Sequence, residues 1–338
     1  MKLLTFLLFP FACLYNAITI FRNFLYDKGF LKSKFFDVPI ICVGNLRVGG
    51  TGKTPFIEFL ILEFLNSERK ISLLSRGYGR KTKGFIIANE NCTSQDIGDE
   101  PLQYFLKYKN KVNVFVDEKR PHGVQLILQK DIDTKVILLD DAFQHRALKA
   151  KINILLTEYK RPFYDDFVMP YGRLRESRSG ARRADTIIIT KCPDTLSLID
   201  CKKIESKVNL YTKINTPIFY TKIQYSEPII GIGNCINTPK EFILVCGIDN
   251  PSSFVQHCEA NFLIATKKIY KDHYEFTHTD ILNFAKNNLP ILTTEKDFVR
   301  LKVWQNKLLV PVFYIPINID FLTGKDQFLY FLEQKFNA

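Results

Sequence analysis

The loop Val48-Gly49-Gly50-Thr51-Gly52-Lys53-Thr54 lies between the apolar run Val38 to Val43 and a helix-like stretch that starts at Pro55. Strand, glycine loop and helix N-terminus in that order form a cradle whose backbone N–H groups face an anion. Lys53 then reaches the β and γ phosphates of a nucleoside triphosphate, and the Thr54 hydroxyl suits Mg²⁺. The usual pattern opens with glycine six residues before the lysine, where this chain has Arg47. Gly49, Gly50 and Gly52 still allow the backbone a close approach to phosphate. The expected nucleotide-binding set is therefore Arg47, Val48, Gly49, Gly50, Thr51, Gly52, Lys53 and Thr54.

Further along, the apolar strand Val136-Ile137-Leu138-Leu139 ends in Asp140-Asp141. A carboxylate at a strand tip beside a phosphate loop holds Mg²⁺ or its water shell. Asp99-Glu100 follows Gly98 and opens a helix-like run; its composition fits an N-cap pair and a catalytic pair equally well. Gln144-His145-Arg146 and Asp272-His273-Tyr274 each offer a histidine near a carboxylate, a pairing suited to deprotonating a hydroxyl. Arg173, Arg175, Arg178, Arg182 and Arg183 form a dense basic run, and arginine forks suit phosphate. Guanine specificity is disfavoured, because Asp140-Asp141-Ala142-Phe143 lacks the glycine of a GTPase and Thr190-Lys191-Cys192-Pro193 has proline where an aspartate belongs. ATP is the expected nucleotide.

These residues need a scaffold that brings distant segments together. Apolar runs at Val38 to Val43, Ile71 to Ser75, Val112 to Val116, Val136 to Leu139, Ile152 to Leu156 and Thr186 to Thr190 alternate with helix-like stretches. Continuous apolar strands separated by helices indicate an α/β fold: a mostly parallel sheet covered on both faces. Ligands bind at the carboxyl ends of such strands. Those ends carry the phosphate loop, Ser75 to Arg80, Asp117 to Arg120, Asp140-Asp141 and Lys191. The pattern changes after about Tyr211. We expect an N-terminal segment (1–35), a phosphate-loop domain (36–215), a strand linker (216–240) and a smaller α/β domain (241–338) whose end packs back on the first. In the last unit, Phe242 to Cys246, Phe262 to Thr266 and Ile291 to Thr293 read as strands. Asp249 to Cys258 and Glu295 to Val303 read as helices, and Thr294 with Asp297 makes a capping arrangement.

With 338 residues and a formal charge of +12, the chain buries a large core and favours an anionic partner: nucleic acid, an acidic membrane surface or a phosphorylated substrate. Aromatic residues spread through apolar runs, not among basic clusters, argue against nucleic acid. The eight cysteines show no zinc spacing and read as reduced cytosolic thiols. From Leu3 to Phe21 the chain is almost wholly apolar, followed by Arg22, Lys28, Lys32 and Lys34. A segment of this kind seeks a membrane, and whether it spans or lies flat, its basic flank belongs on the cytoplasmic side.

Val43-Gly44-Asn45 leading into Gly49 to Pro55, then Ser75 to Gly79, Gly98 to Pro101, Asp140 to His145, Gly172 to Glu176, Asp272 to Tyr274 and Thr294 to Asp297, taken together, resemble the tetraacyldisaccharide 4′-kinase family. The resemblance implies an ATP- and Mg²⁺-dependent lipid kinase on the cytoplasmic face of the bacterial inner membrane. Such an enzyme phosphorylates the 4′-hydroxyl of a tetraacylated glucosamine disaccharide 1-phosphate to form lipid IVA in lipopolysaccharide synthesis, with no obligatory protein partner. Lys53 and Thr54 then serve ATP and Mg²⁺, Asp99 and His273 form the dyad that activates the hydroxyl, and Glu100 with Asp140 or Asp141 organises the metal. Arg76, Tyr78, Arg120, Gln144, His145, Arg173 and Arg175 are the expected substrate contacts. Ala142 departs from the family's glycine after the two acids and leaves that turn's geometry open. The competing reading is a phosphate-loop ATPase that switches a protein partner or delivers a metal.

Overall fold

The computed structural model describes residues 7–235 and 239–337. Its strands are Ile40–Asn45 (β1), Ile71–Ser75 (β2), Ile86–Ile87 (β3), Val112–Val116 (β4), Val136–Asp140 (β5), Ile152–Glu158 (β6) and Thr186–Thr190 (β7). They continue with Ile218–Tyr225 (β8), Ile229–Ile232 (β9), Glu241–Cys246 (β10), Leu263–Ile269 (β11), Ile291–Thr294 (β12), Val312–Ile315 (β13) and Ile317–Thr323 (β14). A nine-stranded sheet runs β14-β8-β7-β6-β1-β5-β2-β4-β3, and a five-stranded sheet runs β11-β10-β12-β13-β9. In the large sheet only the edge pairs β14–β8 and β3–β4 are antiparallel. The protein is thus an α/β molecule built on two mostly parallel sheets.

Strands β1, β2, β5 and β7 are buried along their whole length, which is why their sequences are continuous apolar runs. One face packs on helix Lys53–Asn66 through Phe56, Ile57, Leu60 and Ile61, and the other on a layer that includes Val124, Ile127 and Val208. Register places Val43, near the end of β1, opposite Asp140 of β5. The phosphate loop therefore leaves the sheet beside the first of the two acids.

The segment expected as a strand linker, 216–240, divides between the sheets. Strand β8 pairs in parallel with β7 inside the large sheet, whereas β9 pairs antiparallel with β13 in the small one. The chain returns at its end: β14 joins β8, and Phe328 and Leu332 of helix Lys325–Asn337 enter the first core beside Phe56 and Phe59. Strands β13 and β14 and this last helix have no counterpart among the sequence expectations. Strand β14 and the last helix complete a face of helix Lys53–Asn66 that would otherwise expose Phe59.

The N-terminal helix Phe9–Asp27 docks by its polar side. Tyr15 Oη donates to the Arg175 carbonyl at 2.9 Å, Arg22 Nη2 to the Gln144 carbonyl at 2.9 Å and Asn23 Nδ2 to Glu176 at 2.7 Å. Its other side leaves Phe11, Leu14, Ile18 and Phe21 more than half exposed, at 63, 62, 57 and 62 %. Among the described residues no helix is long and apolar enough to cross a membrane. Leu3 to Phe6 of the expected apolar segment lie outside the described residues.

Candidate active site

The carboxyl ends of both sheets face one cleft, and a cavity of about 1170 Å³ fills it. Val48 through Thr54 line it, together with Asp140 and Asp141, Glu100, Arg76, Tyr78, Gln144, His145, Arg173 and Arg175. Gly49 (φ 112°) and Gly52 (φ 83°) have left-handed backbone that a side chain would strain. That geometry frees the loop for an anion, and helix Lys53–Asn66 begins directly behind it. Gly44, under the loop, lies so close to Phe143 that a β-carbon there would come within 2.6 Å of the Phe143 β-carbon.

Three expected site residues are not on that wall: Asp99, described below with His273, and Arg47 and Arg120. Arg47 is buried and its Nε is bound to Asp166 at 2.7 Å, so its side chain anchors the loop's entrance instead of lining the cavity. Arg120 is fully buried below the acids, donating to the carbonyls of Asp117 and, at 3.2 Å, of Asp140. It does not line the cavity; its charge favours the ionised form of both aspartates from within.

Asp140 and Asp141 differ by environment. Burial, then the charges of Asp141 and Glu100, push Asp140 up to about 7. Burial acts on Asp141 in the same direction, but Lys53 at 3.6 Å and Arg175 at 2.8 Å outweigh it and hold this carboxyl below its usual value. Asp141, not Ala142, makes the turn after β5, with φ at 50°. A buried carboxyl raised by its acidic neighbours is one that a cation would relieve. Thr54, Glu100, Asp140 and Asp141 share the cavity wall, but among the described residues no three carboxylate, imidazole or thiol side chains converge as a metal site; Mg²⁺ needs only one or two carboxylates, with water and nucleotide phosphate completing its shell.

Across the cleft, the loop after β11 delivers His273. Its Nδ1 lies 3.0 Å from Asp99 Oδ2, joining residues 174 positions apart. Donor-only cations face both ring nitrogens, Lys296 Nζ at 3.1 Å from Nε2 and Arg300 Nη2 at 3.2 Å from Nδ1, while the acceptor Asp99 faces Nδ1 alone. Burial raises the Asp99 carboxyl, but the His273 hydrogen bond and the charge of Arg300, 2.8 Å away, prevail and hold it low. His273 has φ 56° and its backbone N–H donates to its neighbour Asp272. Asp141, Lys191 and His273 are all non-glycine residues in left-handed backbone on this cavity, a costly conformation that surrounding contacts must sustain.

Sequence reading did not place Lys296 and Arg300 in the site. They stand four apart on helix Glu295–Leu301, so both face the acids that open helix Asp99–Tyr108: Lys296 lies 3.4 Å from Glu100. That spacing was the available signal. Glu176, buried and bound to Arg183 and Gln144, and the link Glu58–Lys107–Glu295 between the sheets were likewise not anticipated. The Thr294 cap is formed, its hydroxyl accepting from Asp297 N at 3.1 Å.

The family model for tetraacyldisaccharide-1-P 4′-kinase, LpxK, matches residues 4–337. The chain belongs to this family. It is 44 % identical to the tetraacyldisaccharide 4′-kinase of Flavobacterium johnsoniae over 335 residues, covering 97 % of this chain and 96 % of that protein. It is 42 % identical to the one from Cytophaga hutchinsonii, over 99 % and 97 % of the two chains. The crystal structure of LpxK from Aquifex aeolicus in complex with ATP superposes with a TM-score of 0.77 at 31 % identity, covering 98 % of this chain and 99 % of that one.

His145 on the cavity wall gives a prediction. Burial, then Arg120 and Arg76, push its imidazole down from 6.5 to about 4. The folded protein keeps it neutral where the unfolded chain protonates it, so the unfolded state binds the extra proton between those values. This contribution to stability is complete above about pH 6.5 and falls as pH drops through the window, by about 2 kcal/mol at pH 5. Urea unfolding at about pH 7.5 and pH 5 should show the difference in the wild type and a smaller one in His145→Gln. Equal differences in both would rule out His145 as its source.

Proposed function

We propose that the chain transfers the γ-phosphoryl group of ATP, bound with Mg²⁺, to the 4′-hydroxyl of a tetraacylated glucosamine disaccharide 1-phosphate, forming lipid IVA on the route to lipid A. The observation that carries this reading is the His273–Asp99 pair, held at 3.0 Å with His273 on the wall of the cavity that contains the phosphate loop. A nucleotide switch needs no such base, whereas transfer to an alcohol does.

Asp99 fixes the Nδ1–H of His273 and leaves Nε2 to take the hydroxyl proton, after which the carboxylate steadies the imidazolium. Lys296 yields Nε2 to the acceptor while keeping Glu100 and Asp272, each 3.4 Å away, as partners. The hydroxyl oxygen bonds to the γ-phosphorus as the bond to the β-phosphate oxygen breaks, and ADP leaves. Lys53 and the loop N–H groups hold the phosphates in line, so that catalysis is positioning and charge neutralisation. Mg²⁺ would neutralise charge on the phosphate oxygens, held by Thr54, Glu100, Asp140 and Asp141.

The N-terminal helix supports a place on the cytoplasmic face of the inner membrane. Tyr15, Thr19 and Arg22 line the cavity while Phe11, Leu14, Ile18 and Phe21 point outward, so a helix lying on the bilayer would bring acyl chains and reacting hydroxyl to one place. Purified protein with labelled ATP and vesicles carrying the disaccharide acceptor should label the lipid and consume ATP only when the acceptor is present. ATP consumption indifferent to lipid would favour the switch ATPase. In the same preparation, the joint change Phe11→Ser and Phe21→Ser should abolish flotation with anionic vesicles; undiminished flotation would remove the helix from the membrane. Point changes serve better than deleting 1–22, which would also strip Tyr15 and Arg22 from the cavity wall.

A further inference from the structure

The loop after β10 brings Asp249 of the small sheet to the phosphate loop of the large one. Its Oδ2 lies 3.5 Å from the Gly50 backbone nitrogen, which donates to it, and 3.5 Å from Arg161 Nη2; its Oδ1 lies 3.8 Å from Arg173 Nη1. A β-carbon on Gly49 would come within 2.8 Å of the same Oδ2, so the carboxylate is seated directly against the loop. One loop N–H and two guanidinium groups around a single anion are the donors that a nucleotide phosphate requires. Beneath it the frame is already set: Arg161 Nε is bound to Glu158 at 2.6 Å, and Lys191 ties Glu158 to the Gly50 carbonyl. The anion in this frame is a side chain of the protein itself.

We propose that Asp249 occupies the place of a nucleotide phosphate in the nucleotide-free protein, and that Arg161 and Arg173 are the phosphate ligands it holds until ATP displaces it. The inference rests on the nucleotide reading of the loop and adds to it a determinant of affinity and a ligand, Arg161, that the phosphate-loop pattern does not contain. Two anions cannot share these donors, so the carboxylate must swing out before the terminal phosphates enter, and measured affinity is reduced by the fraction of molecules in which it is seated.

Calorimetric titration of wild type, Asp249→Asn and Asp249→Ala with ATP, ADP and AMP tests this. Asn keeps the shape and loses the charge, and Ala opens the space; both should bind ATP and ADP about ten- to thirtyfold more tightly, as expected if about 90–97 % of nucleotide-free molecules hold the carboxylate in place. AMP, which lacks the β and γ phosphates, should stay within about twofold. Arg161→Gln should weaken ATP about tenfold in the Asp249→Asn background and by less in the wild type, where it also loosens the seated carboxylate. Unchanged or weaker ATP binding in both Asp249 variants overturns the proposal, as does an equal gain for AMP. Absence of ATP binding in the wild type would instead overturn the nucleotide reading, and the proposal with it.

Discussion

Lys53→Ala is expected to lower lipid phosphorylation by roughly three orders of magnitude or more, the scale on which a cation that stabilises a transferring phosphoryl group acts. Its ammonium lies 3.6 Å from Asp141 and lines the cavity, apart from the apolar cores. Fold and stability should therefore change little, since Asp141 retains Arg175 at 2.8 Å. Initial rates with labelled ATP, set beside urea unfolding of the same preparation, separate lost chemistry from lost structure. A variant that turns over at the wild-type rate would end the phosphate-loop reading.

His273→Ala should reduce kcat by roughly two to four orders of magnitude with little effect on ATP affinity, the range for a positioned general base. Asp99→Ala should behave similarly, with one complication: Arg300, buried and 2.8 Å from Asp99, loses its partner. Asp99→Asn, which keeps the shape, is the fairer comparison. The double variant His273→Ala with Asp99→Asn should be little worse than either single change, because the pair acts as a unit and its losses do not add. Rates across pH in all three variants decide it. Fully additive losses, or an unaltered rate in His273→Ala, would reduce the histidine to a structural role.

A good part of this protein is legible in its residues alone. The strands Ile71–Ser75 and Thr186–Thr190 coincide with the apolar runs that announced them, because a strand buried on both faces leaves a continuous signal in one stretch of chain. The phosphate loop is equally local: strand, glycines, lysine and helix are consecutive, so their spacing defines the cradle. Motif order carried the pairing of Asp99 with His273 only through family resemblance; nothing in the neighbourhood of either residue requires it.

What the sequence left open depends on contacts between distant segments. Strand β8 belongs to the large sheet and β9 to the small one because of their partners, β7 and β13, and no feature of 216–232 names those partners. Arg120 looked like a strand-end ligand, yet its side chain turns inward to carbonyls under Asp140, since burial is a property of the assembled layers. Asp249 read as an ordinary helix opening, and its meeting with Gly50 across 199 residues exists only when the two sheets face each other. Sequence determined the elements that carry a local signal, the inner strands and the glycine loop, though not β13, β14 or the last helix, for such signals are short-range. Tertiary structure decided which charges face one another across the cleft, because electrostatic partnership depends on distance in space and the chain records only distance along itself.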